Sequence, residues 1–233
     1  MNRLYREATK YYNGDGVKKN WGKAFRLMTE AAEAGDPDAV YALGTQYDYG
    51  IGTKTDRRRA FQLYKKAAGA GQRDAVYAVG LFLSEGLGAR KNFAQAFRWF
   101  KKASSLGVPE AFHALGRSYR LGEGVKKDAK VGFRLEMVAA RRGVADAQFS
   151  VGSCLSRGEG TRPNARRALE WYKRAARKGH GGAAYNVAYF YETGRGVDEN
   201  LNVAKRWYRT ASRLGDTDAR HALNRLSKQA RTP

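Results

Sequence analysis

The stretch Ala39-Val40-Tyr41-Ala42-Leu43-Gly44-Thr45-Gln46-Tyr47, closed by Gly50-Ile51-Gly52, decides the fold. Its apolar residues fall at helical rather than alternating spacing, so it reads as a helix stopped by glycine. The closing Gly-x-Gly recurs at Gly14/Gly16, Gly50/Gly52, Gly86/Gly88, Gly122/Gly124, Gly158/Gly160 and Gly194/Gly196, always 36 residues apart. A single glycine keeps the same step at Gly35, Gly71, Gly107, Gly143, Gly179 and Gly215. A third series, Asn20, Asp56, Asn92, Asp128, Asn164 and Asn200, holds only Asn or Asp. Three series in one register define an internal repeat.

Each series has a local physical meaning. Asn or Asp ahead of an apolar face is a helix N-cap, because its side chain satisfies an orphan amide. After Asn92 the residues Phe93, Ala96, Phe97, Phe100 and Ala103 share one helical face. The single glycine about fourteen residues later suits a left-handed helix stop. Pro37 and Pro109 follow that stop, where a new helix begins. Each repeat is therefore a helix A, a Gly-x-Gly loop, a capped helix B and a tight glycine turn.

The register predicts an all-α, right-handed α-solenoid of about thirteen antiparallel helices with no strand. Six repeats run over 1–35, 36–71, 72–107, 108–143, 144–179 and 180–215, and a capping helix over 216–233, as a single domain. One helix pair cannot bury its apolar faces alone, so neighbours must stack. Arg220, Asn224, Arg225, Lys228 and Arg231 suit the last helix to a solvent-facing cap.

The pattern Ala111, Leu115, Gly116, Tyr119, Gly122, Gly124 and Val125, with Ala168, Trp171, Tyr172, Lys173, Ala175, Ala176 and Gly179, resembles the Sel1-like repeat. That family is related to the tetratricopeptide repeat, and the resemblance covers essentially the whole chain. Glu136 and Met137 depart from it in the fourth repeat, and Ala188 and Asn224 replace the helix A glycine. Cys-rich members carry a disulfide in each repeat, whereas this chain has one cysteine, Cys154. The resemblance implies adaptor or scaffold work, with toxin-neutralising immunity as one version. It also implies that helix A lines an inner, concave, ligand-binding face.

Chemical motifs find no footing. A dinucleotide-binding glycine loop needs a preceding strand, and here a helix precedes every copy. His113, His180 and His221 show no i, i+4 pair for a helical metal site. No serine begins a Ser-x-x-Lys acylating motif. Cys154 lies beside the core residue Leu155 and reads as a buried small hydrophobe. The expectation is a protein without catalytic residues, metal or cofactor.

Binding residues are sought where a slot varies while its surroundings repeat. The aromatic slot of helix A holds Tyr5, Tyr41, Tyr77, His113, Phe149, Tyr185 and His221, and reads first as packing. Four and seven residues further on, the same face varies freely. Tyr41, Tyr77, His113, Arg117, Arg120, Tyr185 and Tyr189 are the candidate partner-binding residues, Tyr and Arg being the usual interface anchors.

The 233 residues carry 44 Lys+Arg against 22 Asp+Glu, a net charge of +22, with a mean hydropathy of -0.67. The excess is spread over all repeats and is greatest, at +5, over residues 144–179. Lys65-Lys66, Lys101-Lys102 and Lys173-Arg174 fall late in helix B, where the helix dipole favours cations. Arg57-Arg58-Arg59 and Arg162 to Arg167 are denser. The expected partner is an acidic protein or peptide; nucleic acid or an anionic surface is the alternative. No apolar run approaches the roughly 20 residues that span a bilayer. A cytoplasmic monomer is expected, or a periplasmic or secreted one where a leader has been removed.

Overall fold

The computed structural model describes residues 2–229, with side chains to residue 227. Residues 230–233, the end of the expected capping helix, lie outside them. The described residues form thirteen α-helices and no strand. The fold is an all-α solenoid of helix pairs. No helix among the described residues is long and apolar enough to cross a membrane.

The chain divides into two compact bodies. The first, Met1–Ala111 with Glu123–Val125, holds α1 (Arg3–Asn13), α2 (Trp21–Glu33), α3 (Pro37–Tyr49), α4 (Arg57–Gly69), α5 (Arg73–Glu85) and α6 (Phe93–Ser105). Val76, Val79, Phe82 and Phe100 are among its buried residues. The second, Phe112–Gly122 with Lys126–Pro233, holds most of α7 (Pro109–Leu121) and all of α8 (Ala129–Arg141), α9 (Ala145–Arg157) and α10 (Ala165–Arg177). It also holds α11 (Gly181–Glu192), α12 (Leu201–Arg213) and α13 (Thr217–Gln229). Val151, Leu155, Leu169, Val187 and Tyr208 form its core. Alanine recurs where helices cross: Ala31, Ala67, Ala103, Ala139, Ala175 and Ala211 are all fully buried.

The caps form as the residue types require. Every Asn or Asp of the third series accepts a bond from the amide three residues on, each at 2.9 Å. The same residue's own N–H donates back to helix A, as in Asn164 to the Leu155 carbonyl at 2.7 Å. One residue thus closes the loop and starts helix B. Replacing Asn164 by Ala is expected to cost about 1 kcal/mol. A melting curve lowered by roughly 2–4 °C checks it.

The two glycines of each loop do different work. The first ends helix A in left-handed conformation, as Gly50 does at φ +70°. The second lies against the start of helix B in the preceding repeat. A methyl group on Gly52 would sit 2.3 Å from the Trp21 carbonyl oxygen, on Gly88 2.1 Å from that of Arg57, and on Gly160 2.0 Å from that of Ala129. Only glycine allows this backbone contact between repeats.

Candidate functional site

The aromatic slot of helix A faces helix B of its own repeat. Tyr41 lies 5.5 Å from Tyr64, Tyr77 5.8 Å from Phe100, Phe149 5.8 Å from Tyr172 and Tyr185 5.3 Å from Tyr208, between ring centroids. The helix A glycine makes room for the helix B ring: methyl groups on Gly44, Gly80 and Gly152 would meet Tyr64, Phe100 and Tyr172 at 2.7–2.8 Å. Tyr41, Tyr77 and Tyr185 are half-buried by this packing. Burial raises the phenol pKa of Tyr41 and Tyr185.

The fourth repeat replaces the aromatic pair with an ionisable one. His113 stands in the Tyr41 slot and Glu136 in the Tyr64 slot, with His113 Nδ1 2.6 Å from Glu136 Oε2. Glu136 is fully buried. Gly132 stands where the other helix B copies have alanine, and a methyl there would lie 2.8 Å from the Gly116 carbonyl oxygen. The shorter side chain at 136 and the missing methyl at 132 let α7 and α8 approach closely. Burial pushes the Glu136 carboxyl above its ordinary value, against the opposing pull of His113 and Arg120.

Arg120 belongs to the same cluster. Its guanidinium lies 3.7 Å from Glu159 and its side chain is 21% exposed. Among the described residues, neither Arg120 Nε nor Glu136 Oε1, both buried, has a hydrogen-bond partner. Cys154 is nearly inaccessible, and burial pushes its thiol up to about 11. A thiol in that state is a poor nucleophile. The dyad of His113 and Glu136 resembles an acid–base pair, but Glu136 is sealed from any substrate. No three His, Cys, Asp or Glu residues among those described are placed to hold a metal.

Two of the seven candidates stand out into solvent. Arg117 on α7 is exposed, and Tyr189 on α11 is 41% exposed. Near Tyr189's helix end, Glu192 accepts from Tyr208 Oη at 2.5 Å and pairs with Arg225 at 2.6 Å. His113, Arg120, Tyr41, Tyr77 and Tyr185 contact other residues of their own body, as the distances above show. The pairing of His113 with Glu136 escapes sequence reasoning, although each departs from its series in the same repeat. His180 escapes it too. It caps α11, its Nδ1 accepting from Ala183 at 3.1 Å, and stacks on Phe149 at 4.4 Å.

The Sel1 repeat model matches residues 8–36, 37–72, 73–108, 109–135, 145–180 and 182–216. The fourth match ends one residue before Glu136. Among solved structures, a Sel1 repeat protein from Oxalobacter formigenes is 34% identical, with a TM-score of 0.84 over 90% of this chain and 86% of that one. A protective antigen of uropathogenic Escherichia coli strains is 27% identical, with a TM-score of 0.66 over 97% of this chain and 56% of that one. An immunity protein from Pseudomonas aeruginosa shares the fold at 23% identity, with a TM-score of 0.61 over 92% and 81%. Among curated proteins nothing matches.

Proposed function

The chain belongs to the Sel1 repeat family, and from that premise we propose a non-catalytic scaffold that binds an acidic protein through exposed helix A positions of its C-terminal body. Sel1 repeat proteins are protein-interaction scaffolds. The observation that carries this reading is the exposure of Arg117 and Tyr189 in slots that vary from repeat to repeat. An exposed residue of a type that anchors interfaces, in a slot that varies from repeat to repeat, is a candidate for selection by a partner. The charge supplies the partner's sign: 44 cations cannot be neutralised one for one by 22 carboxylates. Steering by that field raises the association rate more than the final affinity. Toxin neutralisation is one concrete form of the reading; the Pseudomonas immunity protein contributes only the shared fold to it.

The test is capture from a nuclease-treated lysate on the tagged chain, eluted with rising salt. One protein retained in stoichiometric amount at high salt, and lost at least tenfold by Arg117→Ala with Tyr189→Ala, supports the reading. The double variant should melt within roughly 2 °C of the parent, because both side chains are exposed. Retention unchanged by the variant overturns the assignment of this face.

A second reading rests on Arg57, Arg58 and Arg59, all exposed in the first turn of α4. The helix dipole disfavours cations there, and the Asp48 carboxylate 3.5 Å from Arg57 and the Tyr47 ring under Arg59 do not explain why all three stay exposed. A polyanion such as nucleic acid would, and its binding would fall steeply with salt. Recovery of only salt-labile, nuclease-sensitive material decides for this reading.

A further inference from the structure

The N-terminal body contains a cavity that the partner-binding reading does not use. Its volume is about 280 Å³, and Tyr5, Thr9 and Tyr12 of α1, Met28 of α2, and Tyr41, Thr45 and Gln46 of α3 line it. Gln46 and Met28 are its most deeply buried walls, at 2% and 4% exposure. Both polar atoms of the Gln46 amide, Oε1 and Nε2, are buried without a hydrogen-bond partner within the protein among the described residues. Later repeats put Phe82, Ser118, Cys154, Phe190 and Leu226 in this slot, so a buried amide is no requirement of the fold. The threonine and asparagine side chains at the cavity have partners: Thr9 Oγ1 donates to the Tyr5 carbonyl at 2.9 Å, Thr45 Oγ1 to that of Tyr41 at 3.2 Å, and Asn13 Nδ2 to Asp15 at 3.0 Å.

We propose that this cavity is a binding site for an uncharged amide group, with the Gln46 side chain as its donor–acceptor pair. No Lys, Arg, Asp or Glu lines the cavity, so an ion entering it would lose its hydration with no counter-charge. A neutral amide presents one donor and one acceptor, the complement of what Gln46 offers. The flanking rings of Tyr5, Tyr12 and Tyr41 suit a planar group. The volume lies just below the roughly 300–1,000 Å³ of drug-sized sites, and so fits one side chain or one peptide unit. Such an amide comes from a peptide backbone or from a primary carboxamide.

The site is tested on the whole chain, without any partner, by following the backbone ¹⁵N–¹H signals of the lining residues Thr9, Met28 and Thr45, together with the Gln46 side-chain signals where that residue is present. N-acetylglycine N-methylamide serves as the backbone probe, propionamide as the carboxamide probe and propionate as the charged control. A saturable shift with either amide, at least tenfold weaker with propionate and absent in Gln46→Leu, is the expected result. Whichever amide binds more tightly names the source. Ala42→Leu, which fills the half-buried cavity wall without altering Gln46, should abolish the shift equally. It decides the matter where Gln46→Leu fails to fold. No saturable shift, equal binding of propionate, or binding that survives both substitutions overturns the proposal. None of these results touches the assignment of Arg117 and Tyr189, which lie in the other body.

Discussion

Gly160→Ala is expected to destabilise the protein by roughly 3 kcal/mol, the sum of a backbone and a steric penalty. Gly160 sits at φ +70°, where a Cβ costs roughly 1–2 kcal/mol by itself. The methyl would also lie 2.0 Å from the Ala129 carbonyl oxygen and 2.5 Å from its carbon. Those atoms are backbone of the first turn of α8 and cannot swing away as a side chain would. The contact must open, and with it the packing of repeat five on repeat four. A fall in melting temperature of roughly 6–12 °C is the measurement. Gly179→Ala is the control: at φ +87° it bears the same backbone strain, but a methyl there meets nothing within 4 Å. It should lose only the backbone share. Equal losses in the two variants would show that the Gly-x-Gly loop is a turn and nothing more.

Replacing His113 by Ala is expected to cost about 3 kcal/mol at neutral pH, because it leaves the Glu136 carboxylate buried without its partner. The loss should depend on pH in a definite sense. Burial raises the Glu136 carboxyl above its unfolded value. A raised acid contributes stability that is fully present below the unfolded pKa and is lost as pH rises through the folded one. Removing His113 takes away the group that most opposes this shift, so the protonated carboxyl becomes still more favoured. The gap between variant and parent should therefore narrow as pH falls from about 7 to about 5. Paired melting curves at the two pH values read it. The double variant His113→Ala with Glu136→Gln should recover part of the loss, since the buried carboxylate is then gone. A gap that does not change with pH would mean that His113 acts through packing alone.

The Glu136 cluster also changes the reading of the helix A face. His113 and Arg120 were sequence candidates for partner contact on the strength of their residue types. Their distances to Glu136 and Glu159 give each an internal role, so alanine at either position mixes binding with stability. Arg117 and Tyr189 offer the cleaner experiment because their side chains are exposed.

By itself the sequence determined whatever depends on near neighbours along the chain. Asn164 caps α10 and Gly158 stops α9 through bonds that reach three to five residues. Such signals repeat every 36 residues, so the helix count and boundaries were legible before any contact was known. Only the tertiary structure decided which series face one another. The slots of His113 and Glu136 are 23 residues apart, and each departs from its own series without naming the other. The second loop glycine reads as one more turn residue until the start of the preceding helix B is laid against it. Gln46 is an ordinary polar residue until α1, α2 and α3 enclose it. Burial is a property of how helices stack. It turns a local exception into an ion pair, a backbone contact or a binding pocket only once the neighbouring helix is in place.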